Sequence, residues 1–208
     1  VGSKNITATL GALTVASNPF LITSAAPASL AFAQQPTDEV AGVAIAPSVA
    51  VAVLDAFGNG VSGQNVTVAL TTGTGVLSGT LTQTTNGSGV ATFADLSINL
   101  IGSKNLTASS GVLPSVVSNA FNITAAAPAS INFSQQPTDA VAGVTIAPAV
   151  TVTVLDGFGN PVIGQNVVMS LTTGTGVLSG TLTQTTDAFG IATFGDMSIN
   201  LIGSKNIT

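Results

Sequence analysis

The residues best equipped for chemistry are two pairs at one spacing, Asp55 with Asn59 and Asp156 with Asn160, in the runs Asp55-Ala56-Phe57-Gly58-Asn59 and Asp156-Gly157-Phe158-Gly159-Asn160. A carboxylate and an amide carbonyl are hard oxygen donors, and with Asp38 or Asp95 brought near them they form a candidate structural calcium site. The same residues also suit a turn, because a short carboxylate accepts from backbone N–H groups two residues on. The spacing is not the alternating acidic pattern of an EF-hand loop. No other cofactor is expected.

The remaining inventory closes off most reactions. The chain has no His, Cys, Trp or Tyr, and its only cations are Lys4, Lys104 and Lys205, each in Gly-Ser-Lys-Asn. Imidazole, thiolate and zinc chemistry are therefore excluded, and no serine or threonine has a base beside it in the pattern that nucleophilic catalysis needs. An enzyme is not expected. A net charge of -5 gives no basic footprint for nucleic acid or for anionic lipid. Following Gly-Ser at a strand entrance, each lysine is expected to be solvated and to discourage edge pairing.

These residues are set in a chain that repeats itself. Ala26 to Ser103 matches Ala127 to Ser204 without a gap, with 58 of 78 positions identical at a period of 101 residues. A period of this length is a whole folding unit in tandem, since sandwich domains take about 100 residues and solenoid rungs about 20 to 50. Gly2 to Thr7 recurs as Gly203 to Thr208 and, with Leu106 in place of Ile6, as Gly102 to Thr107, so the chain reads as a window cut from a longer array or as the unit of a polymer. Charged residues make up 5% of the chain, against about 25% in ordinary soluble domains, which leaves solubility to Thr, Ser, Asn and Gln.

The apolar pattern has the period of strands. Val40 to Leu54 is uncharged, but it is shorter than the roughly 20 residues of a spanning helix and contains Pro47, so no membrane insertion is expected. Between the copies Ala44, Ala50 and Ala52 become Thr145, Thr151 and Thr153, while Val49, Val51 and Val53 remain Val150, Val152 and Val154. That is alternation by twos, with the valines facing a core. Val66, Val68 and Leu70 alternate likewise, and Leu81 to Thr85 followed by Asn86-Gly87-Ser88-Gly89 and Val90 to Phe93 reads as a hairpin. About seven or eight short strands per period predict an all-β chain of tandem β-sandwiches.

Ala-Pro junctions at 26–27 and 127–128 mark where units begin. Residues 1–24 are then the C-terminal strands of a preceding repeat, 25–125 a complete repeat, and 126–208 a repeat lacking its last strands. Such a repeat has an open edge, to be completed by following chain or by a neighbouring copy.

Asp55 to Val66 with Gly89-Val90-Ala91-Thr92-Phe93, and Asp156 to Val167 with Gly190 to Phe194, resemble the bacterial immunoglobulin-like repeats of large invasin- and adhesin-type surface proteins. The resemblance covers both periods. It implies an extracellular, bacterial cell-surface location and a structural role as a spacer or filament building block, each unit adding about 40 Å at about 3.3 Å per strand residue. Two alternatives stay open: an adhesive module that binds a glycan or a surface protein through its loops, and a subunit of a strand-exchanged head-to-tail polymer. The partners expected are other copies of the same repeat, in the same chain or end to end. Surface proteins that resemble these can also carry a Lys–Asn side-chain cross-link, which an intact mass would reveal as lost ammonia. Seven Asn-x-Ser/Thr triplets occur, among them the candidate glycosylation sites Asn5, Asn65, Asn105 and Asn122.

Overall fold

The computed structural model describes residues 1–208 and contains strands, turns and no helix. No helix is therefore long and apolar enough to cross a membrane. The chain divides into two compact units. The first comprises Val1–Glu39, Val43–Ile98 and Gly102–Ile123, and the second comprises Thr124–Thr208 with the short pieces Val40–Gly42 and Asn99–Ile101. Both are immunoglobulin-like sandwiches.

In the first unit one sheet has the antiparallel order Val90–Phe93, Val49–Asp55, Pro27–Gln34. The facing sheet runs Thr82–Thr84, Asn65–Thr72, Gly102–Ser109, Phe121–Thr124 and Glu39–Val40, with Val116–Val117 also paired to Gly102–Ser109. Val49, Val51 and Val53 are fully buried while Ala50 and Ala52 are half-buried, as period-two alternation requires. Val66 and Val68 of the facing sheet are buried as well, as are Phe93, Leu96, Ile98 and Leu106. Both units have a cis proline ahead of the central strand, Ala46–Pro47 and Ala147–Pro148. The uncharged run from Val40 is not one strand: Val40 ends the short strand Glu39–Val40 and the central strand begins at Val49.

The hairpin read between Leu81–Thr85 and Val90–Phe93 is corrected by the pairing. Thr82–Thr84 pairs with Asn65–Thr67, whereas Val90–Phe93 pairs with Val49–Ala52 in the other sheet. The cause is Thr85, a buried hydroxyl that donates to the Val61 carbonyl at 2.8 Å and accepts from the Gln64 N–H at 2.9 Å. It ties the first strand to the 61–64 turn, and the chain crosses between sheets at Asn86–Gly89.

The second unit repeats this frame with Pro128–Gln135, Val150–Asp156 and Ile191–Phe194 in one sheet. Opposite lie the pairs Asn166–Val168 with Thr183–Thr185 and Leu171–Thr173 with Asn206–Ile207. Val150, Val152, Val154, Val167, Met169, Phe194 and Met197 form its core. Residues 1–24 make a two-stranded ribbon, Gly2–Lys4 against Phe20–Ile22 and Thr7–Leu10 against Leu13–Ala16, with exposed side chains.

Outward faces are joined by hydroxyls. Thr67 and Thr82 meet at 2.8 Å, Thr71 bonds Thr107, Thr84 donates to Asn65, and Ser134 meets Thr151 at 2.8 Å. No buried side-chain nitrogen or oxygen is left without a partner.

Candidate functional site: carboxylate turns and a buried lysine

Asp55 ends the central strand of the first unit and is buried. Its Oδ1 accepts from the backbone N–H of Phe57 at 2.9 Å and of Asn59 at 2.8 Å. Its Oδ2 accepts from the Ala25 N–H at 2.9 Å, and the Asn59 side-chain amide reaches both oxygens at 3.2 and 3.0 Å. Asp156 is held in the same way by Phe158, Asn160 and the Ala126 N–H. The sequence thus pairs the residues it was expected to pair, but Asn59 and Asn160 turn their nitrogens, not their oxygens, toward the carboxylate. N–H groups reach both oxygens of each carboxylate.

The other acids named from the sequence are engaged elsewhere. Asp38 accepts from the Asn122 N–H at 2.7 Å. Asp95 accepts from the Thr80 N–H at 3.0 and 2.9 Å and from the Thr80 hydroxyl at 2.8 Å, a clasp that Asp196 and Thr181 repeat. No three acidic side chains converge anywhere in the chain. The four carboxylates therefore clamp turns.

Hydrogen bonding sets their acidity. Asp55 is lowered from 3.8 to about 2, first by the Asn59 side-chain amide and then by backbone N–H groups that outweigh the opposing effect of desolvation. Desolvation pushes Asp156 up, yet the Asn160 amide and three backbone N–H groups leave it below the ordinary value. Asp95 and Asp196 are lowered mainly by the backbone N–H groups of Thr80 and Thr181.

Lys104 overturns the expectation of a solvated lysine. It is 1% exposed, paired with Phe121 in the middle of a sheet, and burial lowers its pKa. The space for its stem comes from Gly73, where a Cβ would lie 2.7 Å from the Lys104 Cδ and 2.5 Å from the Ser103 carbonyl oxygen. Lys4 is exposed, and Lys205 is half-buried with its Nζ donating to the Ile202 carbonyl at 3.0 Å.

Among the glycosylation candidates, Asn5, Asn65 and Asn122 are exposed. Asn105 is half-buried and its Nδ2, the atom that a glycan would take, donates to the Ser118 carbonyl at 2.9 Å. Sequence reading missed the Thr80–Asp95 clasp and the buried Thr85. Their only signal was recurrence in both copies, hidden among many other threonines.

No protein-family model matches the chain, nor does any curated protein sequence. Solved structures do match. The Escherichia coli adhesin FdeC aligns over 96% of this chain at 19% identity with a TM-score of 0.55. The likeness is one of fold. This chain covers 65% of that structure, less than two thirds of its length. Yersinia pseudotuberculosis InvD (14% identity, TM-score 0.42, 86% of this chain and 55% of that one) and invasin, a bacterial integrin-binding protein (22%, 0.42, 86% and 35%), also match.

Proposed function

We propose that the chain is a structural segment of an extracellular bacterial stalk or fibre, a spacer built from immunoglobulin-like units. The observation that carries this reading is how the polar side chains are used. In both units the same carboxylates and hydroxyls serve backbone turns: Asp55 and Asp156, Asp95 and Asp196, Thr85 and Thr186. None of these converges on a pocket, and what repeats from unit to unit is the means of holding the fold. A cell-surface location is in keeping with the fold likeness to an adhesin structure, and a spacer has no need of a ligand.

One observation favours the adhesive alternative. Phe57 and Phe189, at turn tips, are 83% and 73% exposed, and an exposed aromatic ring is an anchor for sugar or protein even where Trp and Tyr are lacking. Glycan-array and surface-protein binding by the 208-residue chain, beside its Phe57→Ala and Phe189→Ala forms, tests the reading. A spacer gives no specific signal. Binding that the alanine forms lose would instead establish an adhesive loop.

A further inference from the structure

An asparagine followed by glycine has a side-chain amide open to attack by the next backbone nitrogen, because glycine puts no Cβ in the way. The pair occurs at Asn59-Gly60 and at Asn86-Gly87, both in the first unit. The fold holds the two asparagines by opposite ends of their amides.

Asn59 is held by its nitrogen. Its Nδ2 donates to both oxygens of Asp55, at 3.2 and 3.0 Å, and the carboxyl it binds is lowered to about 2. A carboxylate formed at residue 59 would stand against the charge of Asp55. Gly60 is hemmed in as well, since a Cβ there would lie 2.0 Å from the Ser88 carbonyl oxygen.

Asn86 is held by its oxygen. Oδ1 accepts from the Ser88 N–H at 2.9 Å and the Val90 N–H at 3.1 Å, while the residue is exposed and no protein group binds its Nδ2. The two donors polarise the Cγ carbonyl and sit where negative charge develops when a nucleophile adds to it. Gly87, which carries that nucleophile, is exposed, and a Cβ there would meet nothing within 4 Å. In the second unit an acid already occupies the place of Asn86. The Asp187 Oδ1 accepts from the Phe189 N–H at 2.8 Å and the Ile191 N–H at 3.0 Å. Its carbonyl accepts from the Gly190 N–H at 3.0 Å, as the Asn86 carbonyl does from Gly89 at 2.9 Å. A carboxylate oxygen therefore fills the same role. Asn160, the counterpart of Asn59, precedes Pro161, which has no N–H proton to give up.

We propose that Asn86 is a self-modification site, converting in water to aspartate or isoaspartate while Asn59 stays intact. The Gly87 backbone nitrogen bonds to the Asn86 Cγ and its proton passes to the amide nitrogen. The Cγ–Nδ2 bond breaks, and ammonia leaves behind a cyclic imide. Water then opens the ring. Cleavage between the Gly87 nitrogen and Cγ leaves aspartate on the original backbone. Cleavage between that nitrogen and the Asn86 carbonyl carbon leaves isoaspartate, with the chain routed through Cγ. Nothing is oxidised or reduced, and either product adds one negative charge to a chain of net charge -5. The aspartyl form keeps the turn as Asp187 does, whereas the isoaspartyl form lengthens the backbone where the chain crosses between sheets. The inference goes beyond the spacer reading and does not depend on it.

Incubation of the 208-residue chain at mildly alkaline pH, folded and in urea, followed by peptide mass mapping, tests it. In the folded chain Asn86 should convert about tenfold or more faster than Asn59, which must first give up hydrogen bonds to a charged group. In urea the two should convert at similar rates. Gly87→Ala, which copies Ala188 of the second unit, should slow conversion at Asn86 about tenfold. Asn86→Asp should leave the melting midpoint where it is. The proposal is overturned if Asn86 in the folded chain stays intact or converts no faster than Asn59, or if the difference persists in urea. It is equally overturned if Gly87→Ala leaves the rate unchanged or Asn86→Asp lowers the midpoint.

Discussion

Asn59 holds Asp55 twice, its backbone N–H donating to Oδ1 at 2.8 Å and its side-chain amide to Oδ2 at 3.0 Å. Asn160 does the same for Asp156 at 2.9 and 2.9 Å. Each pair locks the end of a central strand, and the second oxygen of each aspartate also tethers the segment that leads into the neighbouring strand, Pro27–Gln34 or Pro128–Gln135, through Ala25 or Ala126.

Removing the Asp156 carboxylate should therefore loosen a turn and a junction together. Asp156→Ala leaves buried N–H donors unserved, and its melting midpoint should fall on the order of 10 °C. Asn160→Ala, which spares the carboxylate, should lower it less. Calorimetry of the two variants beside the unaltered chain checks the order.

Acid should act through the same groups. Asp55 has its folded value depressed to about 2 from 3.8, and Asp95, Asp156 and Asp196 are depressed as well. The stability they contribute is fully present above about pH 4, where the unfolded chain is also ionised, and is lost as pH falls toward 2. Urea midpoints should be level from pH 7 to pH 5 and drop below pH 4. A midpoint unchanged at pH 2 would contradict the clamp.

Calcium should leave the protein unmoved. Because N–H donors occupy both oxygens of Asp55 and of Asp156, neither calcium nor a chelator is expected to shift the melting midpoint. Thermal scans in millimolar calcium and in excess chelator decide it. A rise with calcium would mean that the asparagine amides flip to present oxygen.

The cores should respond as packed interiors do. Phe93 and Phe194 are fully buried in equivalent positions. Phe93→Ala or Phe194→Ala should cost about 3–5 kcal/mol in the unit that carries it, read from denaturant unfolding.

Lys104 and Gly73 form one arrangement. Gly73 has φ +93, and a Cβ there would press on the Ser103 carbonyl and the lysine stem, so Gly73→Ala should cost about 1–3 kcal/mol. Burial lowers the lysine's folded pKa below 10.5, which means that the unfolded chain binds its proton more readily. Stability should thus rise with pH on the alkaline side as 10.5 is approached, and unfolding midpoints measured at successive alkaline pH values should show that slope.

Local signals made the sandwich legible. Alternation of Val49, Val51 and Val53, retained in the second copy where their neighbours are threonine, defines one buried face from the sequence alone. The Asp55–Asn59 turn is legible for the same reason, since Phe57 and Asn59 lie within four residues of Asp55, whereas its bond to the Ala25 N–H, 30 residues away, is not. What failed depended on distance along the chain. The hairpin was misread because Thr85 is tied to Val61, 24 residues away, and Lys104 was misread because its burial needs Gly73 and Phe121, one from each side. Neither a residue type nor a period carries that information.

The threonine pairs on the outer faces have a consequence for the surroundings that this protein tolerates. A coat of alcohols gathers almost no counter-ion cloud, so there is little for salt to screen. Meltwater and brine would meet much the same skin.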